Sequence, residues 1–224
     1  MLDLYRNIGL LAEVAATLVG TIFYFKYKNT SFKYILFVLW LIVLTEVLGY
    51  FYEELGIYYT DNNGDVYNLF LYNLLSFIIF PVYYLIYYRT LKNTTYKKII
   101  KFFIIIFITL CAINWLFFQN FFTENMLYPR IIANLFLTIS IIFYFVELLK
   151  SDKIINFQRS IPFWVSVGLL IYYTSTIPFT VVQNSYMFSS ESATIKIFIM
   201  RSLLSTAMYL IFTFGFIWST KEKY

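Results

Sequence analysis

Three ionisable side chains fall inside long apolar runs, with no water at hand to solvate them: Glu13, Glu46 and Arg201. Such groups are costly in a bilayer; where they occur they usually face the interior of a helix bundle and mark a site. Two carboxylates and one guanidinium allow one ion pair, leaving the second acid to hold a proton or await a cation. Asn73, Asn114, Asn134, Tyr172 and Ser175 add hydrogen-bonding groups at similar depths. Together these residues predict an outward-opening pocket for a small polar or cationic ligand. Ordinary interhelical hydrogen bonding competes with that reading and is the stronger one for the Asn and Ser positions. A structural ion pair, however, accounts for only two of the three charges.

The 224 residues contain no histidine and one cysteine, Cys111. Imidazole metal sites, His-ligated haem, His-dependent nucleophiles, an internal disulfide and a cysteine zinc site are therefore excluded. Neither G-x-G-x-x-G nor a Walker sequence is present. No cofactor and no metal are expected. Glu13 and Glu46 could serve as acid and base, but no nucleophile accompanies them, so the reading leans away from an enzyme.

The elements that must position these groups follow from composition. The chain is 61% apolar and 13% charged, with a mean hydropathy of +0.72, whereas a soluble domain is about a quarter charged. Seven stretches are long enough to span at about 20 residues each: 7–25, 33–53, 66–88, 99–120, 130–149, 161–183 and 195–218. The first is interrupted by Glu13, but Lys26 and Lys28 follow it, which favours a retained helix over a cleaved leader. The expected fold is an all-α integral membrane protein, a seven-transmembrane-helix bundle with the N-terminus outside and the C-terminus cytoplasmic, forming one domain over residues 1–224. Pro81 and Pro178 are expected to kink the third and sixth helices.

Charge sets the direction. Most of the 17 cations lie in alternate connections: Lys26, Lys28 and Lys33; Arg89, Lys92, Lys97, Lys98 and Lys101; Lys150, Lys153 and Arg159; Lys221 and Lys223. Only Arg6, Arg130 and Lys196 fall on the opposite side, so the basic side is cytoplasmic. The net charge of +5 is read as topology and attraction to anionic lipid heads, not as nucleic-acid binding. The turn from Arg89 to Lys101 is assigned to lipid heads first and a cytoplasmic partner second. The Tyr-rich stretches YFYEELGIYY and YYLIYY are read as interface anchors. Residues 54–65, with a D-N-N-G turn signal, and 184–194 form the main outer loops. Counted from the nearest outer charge at about 1.5 Å per residue, Glu13, Glu46 and Arg201 share one layer roughly 7–11 Å below the outer surface.

The seven-helix plan resembles microbial rhodopsins, G-protein-coupled receptors and the small sugar-permease class. The resemblance is one of topology, and the signatures are missing: no mid-membrane lysine in the last helix, no D-R-Y, no N-P-x-x-Y and no P-Q pair. The histidines of alkaline ceramidase-type hydrolases are absent as well. The ranking that results is a ligand-binding, sensor-like module first, a small-solute or ion transporter second, an oligomeric pore third and an enzyme last. The expected location is a bacterial inner membrane, and the lipid bilayer is the expected partner.

Overall fold

The computed structural model describes residues 2–183 and 191–221. Residues 184–190 of the expected outer loop, and Lys223, lie outside the described residues. The described chain forms α1 (Leu2–Ile22), α2 (Lys33–Tyr50), a hairpin of β1 (Tyr59–Thr60) and β2 (Val66–Tyr67), α3 (Leu69–Thr90), α4 (Thr94–Phe117), α5 (Leu127–Leu149), α6 (Ile161–Gln183) and α7 (Glu191–Trp218). Helices α2 to α7 give six segments long and apolar enough to cross a membrane. The chain is therefore an all-α, multi-pass membrane protein. α1 is also long, at 21 residues, but Arg6 and Glu13 dilute its apolar character.

Where helix ends differ from the sequence expectation, local hydrogen bonds explain the shift. α4 begins at Thr94 rather than 99 because the Asn93 side chain accepts from the N–H groups of Thr95 (2.8 Å) and Tyr96 (3.3 Å), a helix cap. The Glu147 carboxylate of α5 accepts from the N–H groups of Lys92 (2.9 Å) and Asn93 (2.8 Å), anchoring the same turn. α3 begins at Leu69 rather than 66 because Val66 and Tyr67 pair with Thr60 and Tyr59. Asp61 Oδ1 accepts from Asn63 and Asp65 N–H, both at 2.9 Å, closing the D-N-N-G turn. Gly64 adopts φ +89° there, a conformation open to glycine. Both α3 and α6 run as helix through Pro81 and Pro178.

The neighbour pairs α1–α2, α2–α3, α3–α5, α5–α6, α6–α7 and α7–α1 close a ring of six helices, and α4 packs outside it on α3 and α5. Small residues draw α1 and α7 together. Ala12, Ala16 and Gly20 are all buried, and a Cβ on Gly20 would come within 3.0 Å of the Phe216 ring. Nearer the other end, the Ser202 hydroxyl donates to the Tyr5 carbonyl at 2.7 Å. The two contacts have the same order along both helices, so α1 and α7 run parallel. Similar small-to-aromatic contacts join α6 to α7: a Cβ on Gly168 would lie 2.7 Å from Phe212, and one on Gly215 would lie 2.5 Å from Trp164.

The end of the ring carrying the Arg89–Lys101 turn is the basic end, and the other is the hairpin end. At the basic end the Lys26 ammonium donates to the Phe216 and Ile217 carbonyls at 2.9 and 2.8 Å, satisfying acceptors that the end of α7 leaves open. Burial holds that ammonium below its ordinary range. Arg89 donates to the Tyr34 hydroxyl, while Lys92, Lys98 and Lys101 stay exposed and Lys97 is half-buried. The expectation that YYLIYY anchors an interface is corrected here. Tyr83, Tyr84 and Tyr87 are at most 1% exposed and belong to the core. Their hydroxyls find acceptors inside the bundle, which makes burial affordable for tyrosine: Tyr84 donates to the Ala133 carbonyl at 2.9 Å, and Tyr87 shares a 2.9 Å bond with Ser166.

Candidate functional site: a polar shaft inside the helix ring

Glu13 is 6% exposed, held on α1 beside the small-residue seam. The Tyr209 hydroxyl of α7 lies within electrostatic reach of its carboxylate, and its Oε1 has no hydrogen-bond partner. Glu46 of α2 lies within electrostatic reach of Glu13. Its Oε2 accepts from the Tyr72 hydroxyl at 3.4 Å. That hydroxyl fits because Gly49 leaves room: a Cβ there would sit 2.5 Å from it. Arg6, which lies over the Tyr50 ring at 5.7 Å, is within electrostatic reach of Glu46 from the hairpin end. The structure thus brings together the two acids expected from sequence.

The expected pairing of one acid with Arg201 is corrected. Arg201 donates to Thr180 Oγ1 at 2.9 Å and, among the described residues, has no carboxylate within ion-pair distance. Its charged neighbour is a second arginine, Arg130, which the sequence reading set at the outer start of the fifth span and did not count among the site residues. Arg130 lies in the first turn of α5 and donates to Ser76 Oγ at 3.3 Å. The Nε atoms of both arginines are buried without a partner. Tyr172 of α6 lies within electrostatic reach of Arg130, Arg201, Glu13 and Glu46. The spacing of Arg130 one turn before Asn134 was the available signal, since it puts both on one face of α5.

The single shared layer is corrected as well. The Ser202–Tyr5 bond sets Arg201 near the level of Tyr5, whereas Glu13 lies eight residues further along α1, in a seam whose register the Gly20–Phe216 contact continues. At about 1.5 Å per residue, Glu13 lies about 12 Å closer to the basic end than Arg201. The error arose at Lys196. α7 has 28 residues against 21 in α1 and overhangs it at the hairpin end, so Lys196 and Arg6 do not mark the same level. The result is a shaft with arginines nearer the hairpin end and carboxylates beneath them.

Below the carboxylates, hydroxyl groups continue toward the basic end. The rings of Tyr83 and Tyr173 meet edge to face, with centroids 5.9 Å apart. Tyr83 lies within electrostatic reach of Glu13 and of Tyr87, which is bonded to Ser166. The half toward the basic end is thus not purely apolar: α3 carries Tyr83 and Tyr87 one turn apart, both buried in the bundle.

The asparagines divide by their partners. Asn73, 0% exposed, donates through Nδ2 to the Phe121 and Glu124 carbonyls (2.7 and 2.8 Å) and accepts from Met126 N–H (3.2 Å). It pins the α4–α5 connection and is structural. Asn114 is buried with neither side-chain atom bonded, and Asn134 is buried with Oδ1 unbonded. Asn114 is on α4, outside the ring, whereas Asn134 shares a face with Arg130. Ser175 is half-buried on α6, one turn from Tyr172. Two surface clefts flank the hairpin end. One of about 450 Å³ is lined by Trp115–Phe122, and one of about 500 Å³ is lined by the hairpin together with Asn120, Thr123 and Glu124. Neither includes a residue of the shaft.

No family model, no curated protein and no solved structure matches the chain.

Proposed function

We propose that the chain is a receptor-like module of a bacterial inner membrane that binds a small polar or cationic ligand from the outer side. In this reading α1 is a seventh span, the hairpin end with the N-terminus is outside, and the C-terminus and the Arg89–Lys101 turn are cytoplasmic. The basic turn then faces anionic lipid heads and offers Lys92, Lys98 and Lys101 to a cytoplasmic partner. The observation that carries the reading is Glu13. A buried carboxylate with one oxygen unpartnered, beside a second carboxylate, is costly unless it holds a proton or a cation completes it, and a pocket of two acids suits a cation. Tyr72, Tyr172 and Tyr209 add aromatic faces suited to an ammonium. Thermal unfolding of the purified protein with choline or ethylammonium chloride provides the test. The expected result is a rise in Tm for the wild type and none for Glu13→Gln. An equal response in both proteins, or none in the wild type, overturns it.

The hydroxyl series Tyr173–Tyr83–Tyr87–Ser166 favours a second reading, a transporter that couples the carboxylates to the basic end. It predicts proton or cation flux into vesicles containing only this chain, reduced in Tyr87→Phe. Absence of flux removes it.

A further inference from the structure

The carboxylates were legible from sequence, but the paired arginines above them were not, and they ask for a ligand of opposite charge. Arg130 and Arg201 are like charges within electrostatic reach, each holding one neutral hydroxyl, Ser76 and Thr180 respectively. The Nε of each is buried and unbonded. Guanidinium groups carry five donors in a planar fork and accept nothing, so a buried pair is satisfied by oxyanions that can take several N–H bonds at once. Hydroxyl partners cannot neutralise them. The arrangement also balances: with Arg130 included, the shaft holds two acids and two bases, and Tyr172 lies within electrostatic reach of all four.

We infer that Arg130 and Arg201, with Ser76, Thr180 and Tyr172, form an oxyanion site, and that the ligand entering the shaft is a zwitterion whose carboxylate or phosphate binds there. The oxyanion site stands on the arginines alone, while the zwitterion rests on the cation pocket proposed above. The anionic group could belong to a free solute or to the headgroup of a zwitterionic phospholipid. In either case the arginines, being nearer the hairpin end, meet the ligand first and the carboxylates receive its cationic end.

The experiment uses the full chain in detergent, with four probes at matched ionic strength: inorganic phosphate, choline, glycine betaine and phosphocholine. Variants are Arg130→Gln, Arg201→Gln and Glu13→Gln, and Arg130→Lys controls for folding. Phosphate is expected to raise the wild-type Tm and to bind about tenfold more weakly to either Arg→Gln variant, while binding Glu13→Gln unchanged. Choline should show the reverse dependence, and betaine or phosphocholine should depend on both sets. If phosphate binds the wild type and the arginine variants alike, or not at all, the oxyanion site is overturned, whatever choline does. If phosphate behaves as expected and choline does not bind, the oxyanion site stands and the cation pocket falls, taking the zwitterion with it. Mass spectrometry of lipid retained by the wild type and lost in Arg130→Gln identifies a headgroup as the source. Equal lipid retention with phosphocholine binding identifies a free solute.

Discussion

The Ser202 hydroxyl bonds to the Tyr5 carbonyl at 2.7 Å, and this bond fixes how far α7 slides along α1. The seam is tight there: a Cβ on Gly9 would lie 3.4 Å from Ser202 Oγ. Ser202→Ala should lower the unfolding free energy by about 0.5–1.5 kcal/mol, the usual worth of such a bond. Ser202→Leu should cost more, because the added volume forces the helices apart. Denaturant unfolding in micelles measures both, and a neutral Ser202→Leu would contradict the close seam.

Asn73 should matter for stability and not for ligand response. Asn73→Leu leaves the Phe121 and Glu124 carbonyls and the Met126 N–H without their partner. A loss of about 2–4 kcal/mol is expected for several buried groups left unbonded. Hydrogen exchange should rise selectively over residues 118–126. Retained stability with altered phosphate or choline binding would return Asn73 to the site.

Glu147 holds the α3–α4 turn through two backbone N–H groups at 2.9 and 2.8 Å. Bonds to a charged acceptor are stronger than neutral ones, so Glu147→Gln should cost about 1–2 kcal/mol. Proteolysis between Arg89 and Lys101 should accelerate accordingly. Unchanged cleavage would mean that the Asn93 cap alone suffices.

Lys26 gives the chain a pH dependence of known sign. Burial holds its ammonium below the ordinary value of 10.5. The unfolded state therefore binds this proton more tightly than the folded state. Its contribution makes stability rise as pH climbs from the lowered value toward the ordinary one, with no gradient below that window. Lys26→Met should remove this slope and the cap on the Phe216 and Ile217 carbonyls. Unfolding free energy measured across the alkaline range checks both effects.

Much of the fold was legible because hydropathy alone separates the spans: the six apolar helices fall on the stretches read from sequence, with ends moved by caps such as Asn93. Glu13 and Glu46 were legible because a lone charge stands out in an apolar run. Arg130 was not, because a cation near a helix start reads equally well as a loop residue. Its inward direction depends on Ser76, a residue 54 positions away. Tyr83, Tyr84 and Tyr87 were misread for a related reason. Tyrosine near Arg89 fits an interface belt, and only the positions of Ala133, Ser166 and Tyr173 show that partners await them inside. The depth of Arg201 failed because helix overhang leaves no trace in local composition.

The ring is closed by its last-made member. During synthesis α1 precedes α7, so the helix that packs most closely against α1 is supplied last. A chain stopped before residue 191 would leave the α1 face that carries Glu13 without its cover, and the ring open.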